Sequence, residues 1–570
     1  FARQILSRIE VWMEDNNILT NCQAGFRKST STVDQMFRFL LIHWKTVILN
    51  KGSLYVAFID LKSAFDLIPR NTMWSVLKNL GLPLNLLHIL TRLHSHSYAK
   101  VRWDDLGQTT EEFPISKGVR QGCVLAPTLF SLYINGVVDH LRTCQHDAPR
   151  QAGVAIPALM FADDTLIISK TPRGLQNLLD HFGVFCRQRG LIINTGKTKL
   201  MAFNPHKKFN GRFLFDQVQL ERVASFEYLG FTITDHMTWG RQLDKCTLKL
   251  KQYGAAILKM QKSTRDQEVL PALDIYKAKA LGAALYGAEL WGHSNHQDLL
   301  TAENNFLRAL VCLPQSTPLL PLSMDLGVRS VGSKMGLRPI LYWKRIWCTP
   351  ELAHYKDALL EVLLIDGSHR IPWLRFVKKS LGLMGMEELW EDPPAIAAVS
   401  KLTVKESYWD YRSSNLNPSH STGRLTAVFL ENKFNFHYES FLDYISPPQS
   451  RQLYLRMRYG VLPLNNFTHR WSNNLPKSDK CLFCTNQVES LLHVLFFCLA
   501  YCSPRKKWIA PLCRNLGIYN HLLALRVLTT YTSEVVIFGV SRFLLAFWRI
   551  RSYKVRSDQL VAPTVETLLG

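Results

Sequence analysis

Leu159-Met160-Phe161-Ala162-Asp163-Asp164-Thr165 decides how this chain is read, because an apolar, strand-forming run ends there on two adjacent carboxylates. On a regular strand, neighbouring side chains point to opposite faces; at a hairpin turn the backbone angles change and both acids can aim at one point. Val154 to Ala162 and Thr165 to Ser169 read as the two strands, with Asp163-Asp164 at the turn. Alone, an Asp-Asp pair is more often a plain polar turn, since Asp is common in turns. Working outward, Leu54-Tyr55-Val56-Ala57-Phe58-Ile59 is a short apolar run that reads as a buried strand ending on Asp60. Pairing of that strand with the hairpin would bring a third carboxylate to the turn. Carboxylates on rigid element ends are what a pair of divalent ions roughly 3.5–4 Å apart requires.

The surrounding words carry a resemblance. Asp60-Leu61-Lys62-Ser63-Ala64-Phe65-Asp66 resembles reverse-transcriptase motif A, and Gly118-Val119-Arg120-Gln121-Gly122 through Phe130 resembles motif B. The Asp163-Asp164 stretch resembles motif C, Gly190 to Thr198 motif D, and Phe226-Glu227-Tyr228-Leu229-Gly230 motif E. Five ordered motifs at compatible spacing are far more specific than any one of them. Their wording is similar to that of LINE-type (non-LTR) retrotransposons, as is Gln23-Ala24-Gly25-Phe26-Arg27 with Ser31-Thr32, which resembles that family's finger motif. The likeness covers about residues 1–235 and continues more weakly to about 345, where Leu285 to Gly292 resembles a thumb segment.

The resemblance implies an α+β right-hand polymerase with fingers, palm and thumb, built on an antiparallel palm sheet. A mostly helical C-terminal region and a small zinc-binding module would follow. The expected domains are 1–50 partial fingers, 51–235 palm with the remaining fingers, 236–347 helical thumb, 348–475 helical linker, 476–505 zinc-knuckle-like module and 506–570 helical tail. It implies that Asp60 and Asp163 bind two Mg2+ ions (Mn2+ being an alternative), that Asp164 supports them, and that the Leu61 carbonyl completes one shell. Phe65 would lie under the sugar and exclude a 2′-hydroxyl by size. Arg27 and Lys28 would grip the triphosphate, for which an Arg fork suits phosphate bidentately. Gln121 and Gly122 would approach the nucleotide closely, Lys197 would protonate the leaving pyrophosphate, and Tyr228-Leu229-Gly230 would form the primer grip. One departure is visible: Ala126 stands where motif B usually has Ser.

Cys481-x2-Cys484-x8-His493-x4-Cys498 is a separate signal. Two cysteines with two residues between them form a tight knuckle, and the His and last Cys would come from a following helix, as in structural zinc sites. Lys477, Lys480, Arg505, Lys506 and Lys507 make its surroundings basic, and Cys502 is a substitute ligand by position.

Composition fits this reading. A chain of 570 residues implies about three or four domains, and 47% hydrophobic with 20% charged residues is globular. Lys plus Arg number 68 against 45 Asp plus Glu, a surplus of +23 that attracts polyanions. Lys245, Lys249, Lys259 and Lys262 recur along an expected thumb helix with Leu248 and Ile257 as apolar partners. The twelve cysteines are scattered, which suits a reducing compartment. No membrane span is expected: Arg542 and Arg549 interrupt the apolar Val535–Ile550 stretch, which reads as a buried or amphipathic helix. The opening at Phe1 reads as mid-helix, so an N-terminally truncated polymerase is expected, with no second acidic cluster for a nuclease. The expected partners are template RNA, primer or target DNA and dNTPs, in a nuclear and cytoplasmic ribonucleoprotein of unknown oligomeric state. Two alternatives stay open: a catalytically inactive nucleic-acid-binding remnant, and a group II intron maturase-like enzyme.

Overall fold

The computed structural model describes the chain except residues 96, 104–107, 121, 145–146, 206–210, 265–266, 368–369, 415–434, 466–477, 485, 531–532 and 562–570. Gln121 and Lys477 therefore lie outside the described residues. The chain divides into two compact units. The first comprises Phe1–Gln242, Gly287–Ser294 and Leu337–Tyr408, and the second Leu243–Tyr286, Asn295–Gly336 and Trp409–Gly570. The domain limits expected at 235/236 and 347/348 are thus crossed by these units.

The first unit is built on a five-stranded sheet. Its strands are β1 (Leu54–Ile59), β2 (Ala158–Phe161), β3 (Asp164–Ser169), β4 (Lys199–Phe203) and β5 (Glu221–Arg222), in the order β5-β4-β1-β3-β2. β1 is central and antiparallel to both neighbours, and only the β5–β4 pair is parallel. Every β1 residue is buried, which explains its uninterrupted apolar run: both faces of the strand are covered. Helix α1 (Ala2–Asp15) buries Ile5, Ile9 and Met13, one stripe at helical spacing. Helix α2 (Thr32–His43) packs beside β2, and its Ser31 hydroxyl caps the Asp34 N–H. Helix α3 (Ala126–Ile134) has Pro127 in its first turn, and α4 (Pro172–Arg189) covers β1 and β3 between a Thr171 cap and Gly190 at φ +61°.

Several expectations need correction. Pro127 to Arg142 reads from the sequence as one helix, with Pro127 at its first position, but it breaks after Ile134, where the Asn135 side chain accepts from Thr20 N–H and donates to the Ile18 carbonyl. Tyr228–Ile233 reads from the sequence as one strand but is part of a hairpin, β6 (Ser225–Tyr228) and β7 (Phe231–Thr234), turning on Leu229 at φ +49° and Gly230 at φ +79°. The strand expected from Val154 to Ala162 is interrupted at Ile156-Pro157. Asn71 reads from the sequence as the cap of a helix running to about Leu80, but that helix spans Arg70–Asn79 with Pro69 at the cap position.

The second unit is mostly helical. Among its helices are α5 (Gln297–Leu310), α6 (Pro448–Arg458) and α7 (Glu534–Val561), and α6 packs along α7. Fully buried Asp325 accepts from Arg458 Nε at 2.8 Å and from the Tyr459 hydroxyl at 2.8 Å. The expected basic helix is present over Gly240–Ser263, but Leu248 is exposed and the buried side is Cys246, Leu250 and Ile257. No single helix among the described residues is long and apolar enough to cross a membrane.

Candidate polymerase site and Cys/His cluster

The acidic site follows from strand register. Phe161 pairs with Asp164, leaving Ala162 and Asp163 as a two-residue hairpin turn. Ile59 pairs with Thr165, so the register extended by one residue sets Asp60 against Asp164 at the end of β1. Asp163 and Asp60 are half-buried and Asp164 is exposed. Partial burial raises Asp163; backbone N–H groups oppose this and the Asp60 carboxylate adds to it. Burial, then the carboxylates of Asp163 and Asp60, push Asp164 up to about 6. No cation among the described residues offsets this mutual repulsion. A cluster of oxygen donors whose negative charges oppose one another, and which has no basic partner, fits divalent cations.

The elements around the turn hold it closely. The Asp60 N–H donates to the Thr198 hydroxyl at 3.2 Å, and the Asp60 carbonyl accepts from Asn194 N–H at 2.8 Å. The motif D segment is thereby laced to the end of β1, and Leu61 is buried with its backbone bridged to Ile193. Lys197 lies in that segment with an exposed side chain. On the side of the β6–β7 hairpin, Phe58 stacks on Phe226 with ring centroids 4.4 Å apart and reaches Tyr228 at 5.7 Å. Burial and the Asp164 charge hold the Tyr228 hydroxyl well above its ordinary pKa, so the hairpin turn of β6 and β7 sits close to the acids.

Phe65 packs at a tilt against Phe130 of α3, ring centroids 4.7 Å apart, and its carbonyl accepts from Val119 N–H at 2.9 Å, which joins motifs A and B. Gly118, at φ +74°, must be glycine, because a Cβ would come 2.6 Å from the Asp66 carbonyl oxygen. Arg70 was not singled out from the sequence; it donates to the carbonyls of Gly118, His94 and Ile115 and so fixes the entry to motif B. Gly122 is exposed at φ +79°. Arg27 lines a cavity of about 690 Å3 with Arg38, Arg142 and His354, and none of the three acids lines that cavity. Lys28 is exposed on the same loop.

In the second unit, Cys481, Cys484, His493 and Cys498 come together, with ligand atoms all within 4.8 Å of one another. The Cys498 Sγ lies 3.7 Å from each of the other two thiols. The knuckle closes through Cys481 N–H to the Gln487 carbonyl at 2.7 Å, and a single helical turn, His493–Phe497, carries the histidine to Cys498. His493 Nε2 is buried without a hydrogen-bond partner among the described residues. Burial and the neighbouring thiols push the Cys498 thiol up to about 12. Three thiols and one orphaned imidazole form a donor set that fits Zn2+. Cys502 is not in the cluster. Arg505 braces it, donating to the carbonyls of Leu495 at 2.8 Å and Cys498 at 2.6 Å.

The model of the reverse transcriptase (RNA-dependent DNA polymerase) family matches residues 2–233. A probable RNA-directed DNA polymerase from transposon BS of Drosophila melanogaster is 26% identical over 365 residues, covering 61% of this chain and 38% of the relative. The RNA-directed DNA polymerase from the Drosophila melanogaster mobile element jockey is 24% identical over 386 residues, covering 65% and 40%. The Pol polyprotein of the retrotransposable element R2DM from the same organism is 27% identical over 275 residues, covering 46% and 25%. This chain thus spans only 38% and 40% of the length of the first two relatives. A solved telomerase from Candida tropicalis aligns over 72% of this chain and 60% of its own at 12% identity, with a TM-score of 0.33, too low to bear on the fold. Residues 2–233 thus match the reverse transcriptase family, and the chain is similar to the RNA-directed DNA polymerases of these mobile elements, with Asp60, Asp163 and Asp164 brought together at one end of the five-stranded sheet.

Proposed function

We propose that the chain is the polymerase part of a LINE-type element and copies RNA into DNA from a target-DNA 3′-hydroxyl, in target-primed reverse transcription. The observation that carries this reading is the register that sets Asp60 against Asp164, beside the Ala162-Asp163 turn. Two Mg2+ ions would be held by Asp60, Asp163, Asp164 and the Leu61 carbonyl. When bound, they would lower the pKa of the primer hydroxyl and stabilise the charge on the triphosphate.

The chain's own residues divide the remaining work. Phe65, set by its packing against Phe130, limits the space beside the sugar and favours deoxynucleotides. Arg27 and Lys28 supply charge to the triphosphate from the finger loop, and Gln121 and Gly122 lie against the nucleotide. Tyr228-Leu229-Gly230 orient the primer end. Lys197 moves a proton to the leaving pyrophosphate. Cys481, Cys484, His493 and Cys498 hold one structural Zn2+, and the basic residues around them contact nucleic acid. The working form is a ribonucleoprotein found in nucleus and cytoplasm.

Primer extension on a primed RNA template with Mg2+ and dNTPs tests the proposal. Extension by the wild type that disappears in Asp163→Asn and Asp60→Asn is the expected result. Extension that survives either substitution overturns the site. Salt-sensitive RNA binding without extension would instead mark a binding remnant.

A further inference from the structure

The two-residue turn that carries Asp163 is not held by its own hairpin alone. Ala162 sits at φ +58°, a region that a residue with a Cβ occupies only under constraint. The constraint comes from the finger loop. Gln23 is 1% exposed, and its Oε1 accepts from Ala162 N–H at 3.2 Å and from Gly25 N–H at 2.9 Å. The backbone beside it continues the sheet: Ala24 N–H donates to the Met160 carbonyl at 2.9 Å, and Met160 N–H to the Cys22 carbonyl at 2.8 Å. Gln35 of α2 seals the pair, its Nε2 donating to the carbonyls of Met160 at 2.8 Å and Cys22 at 3.1 Å. At Gly25 the approach is so close that a Cβ would stand 2.2 Å from Ala162 N.

We propose that Gln23 is a positioning residue for the acidic turn: its amide oxygen fixes the bend that aims Asp163 toward Asp60, and ties that bend to the loop bearing Arg27 and Lys28. The inference rests on the polymerase reading of the site. One side chain thereby couples the loop that reaches the triphosphate to the turn that holds the metals. A loop displaced from its seat takes the acceptor of Ala162 N–H with it. The turn then relaxes away from its strained angle, and the carboxylates lose their common focus.

The test compares wild type with Gln23→Met, which keeps length and burial but has no acceptor, and Gln23→Glu, which keeps one. Two readouts besides activity apply: Mn2+ titration followed by electron paramagnetic resonance, and hydrogen exchange at the Ala162 amide by fragment-resolved mass spectrometry. Gln23→Met is expected to weaken Mn2+ binding by about tenfold and to speed Ala162 exchange by at least as much, as loss of two hydrogen bonds would. Gln23→Glu should restore both, which a merely space-filling role for Gln23 would not predict. A Gln23→Met protein with wild-type Mn2+ affinity and exchange overturns the proposal. Should that variant fail to fold, an Ala162 amide exchanging in the wild type as fast as open chain overturns it as well. Mn2+ binding that is unchanged in Asp163→Asn would count against the polymerase site instead, leaving the Gln23 contact to be judged by exchange alone.

Discussion

Arg345 closes over the buried carboxylate of Asp34, with Nη2 3.0 Å from Oδ2, and the same nitrogen donates to the Ser29 carbonyl at 2.7 Å. Asp34 also accepts from the Tyr342 hydroxyl at 2.9 Å and is wholly shielded from solvent. One guanidinium therefore neutralises the first turn of α2 and holds the finger loop that leads into it. Removing it strands a buried charge, which costs about 3–5 kcal/mol. Arg345→Met should lower the thermal midpoint sharply. The double variant Arg345→Met/Asp34→Leu should recover most of the loss, because no unpaired charge then stays inside. A single variant that melts like wild type would show that Asp34 finds another partner.

The acid cluster should make the metal-free palm less stable at neutral pH. Asp164 is raised to about 6 in the folded state against an ordinary value of 3.8. A folded-state pKa above the unfolded one means that the group's stabilising contribution is complete below pH 3.8 and is lost as pH rises through about 6. At pH 7.5 without divalent ions, Asp164→Asn should stabilise the fold by roughly 1 kcal/mol, a figure reduced because the side chain is open to solvent. The gain should vanish below pH 4 and shrink when Mg2+ is added. Melting curves across pH, with and without Mg2+, check both statements.

His43 should give the opposite slope. It is 3% exposed, packs edge-on against Phe203 at 5.2 Å, and burial lowers its pKa from 6.5 to about 4. Its contribution is fully present above pH 6.5 and is lost as pH falls through about 4, amounting to about 3 kcal/mol at full protonation of the unfolded chain. His43→Phe should flatten the loss of stability between pH 6.5 and 4. An unchanged acid limb in that variant would mean that other groups carry it.

What could be read in advance divides along sequence distance. β1 and the Asp163 turn were legible because each is local: an apolar run ending on an acid, and a hairpin whose residues are neighbours. The Cys/His cluster was legible for the same reason, since its four ligands fall within one short segment. Gln23 was not, because its partner Ala162 lies 139 positions away and glutamine announces no role by its type. The break after Ile134 depends on Asn135 bonding to residues 115 and 117 positions distant, which no helical periodicity records. The β6–β7 hairpin was missed because Leu229 occupies a left-handed turn position that turn-forming residues normally fill.

Zinc should be the keystone of its own module and of little else. Cys481, Cys484 and Cys498 must be thiolates to bind the ion, yet crowding and burial press Cys498 toward its protonated form when no cation is present. Metal binding therefore releases protons and supplies folding energy locally. Chelation at neutral pH should expose the amides around residues 478–505 to hydrogen exchange while β1 to β4 of the palm stay protected. Cys484→Ser should cut bound zinc from about one ion per chain to a small fraction. Arg505→Ala should leave one ion per chain but weaken its retention by about 10–100-fold, because this residue fixes the carbonyls that orient Cys498 rather than touching the metal. Elemental analysis of the purified variants, paired with exchange mass spectrometry, separates these outcomes. Palm exchange that rises together with the module on chelation would show that the ion stabilises the whole chain and not one segment.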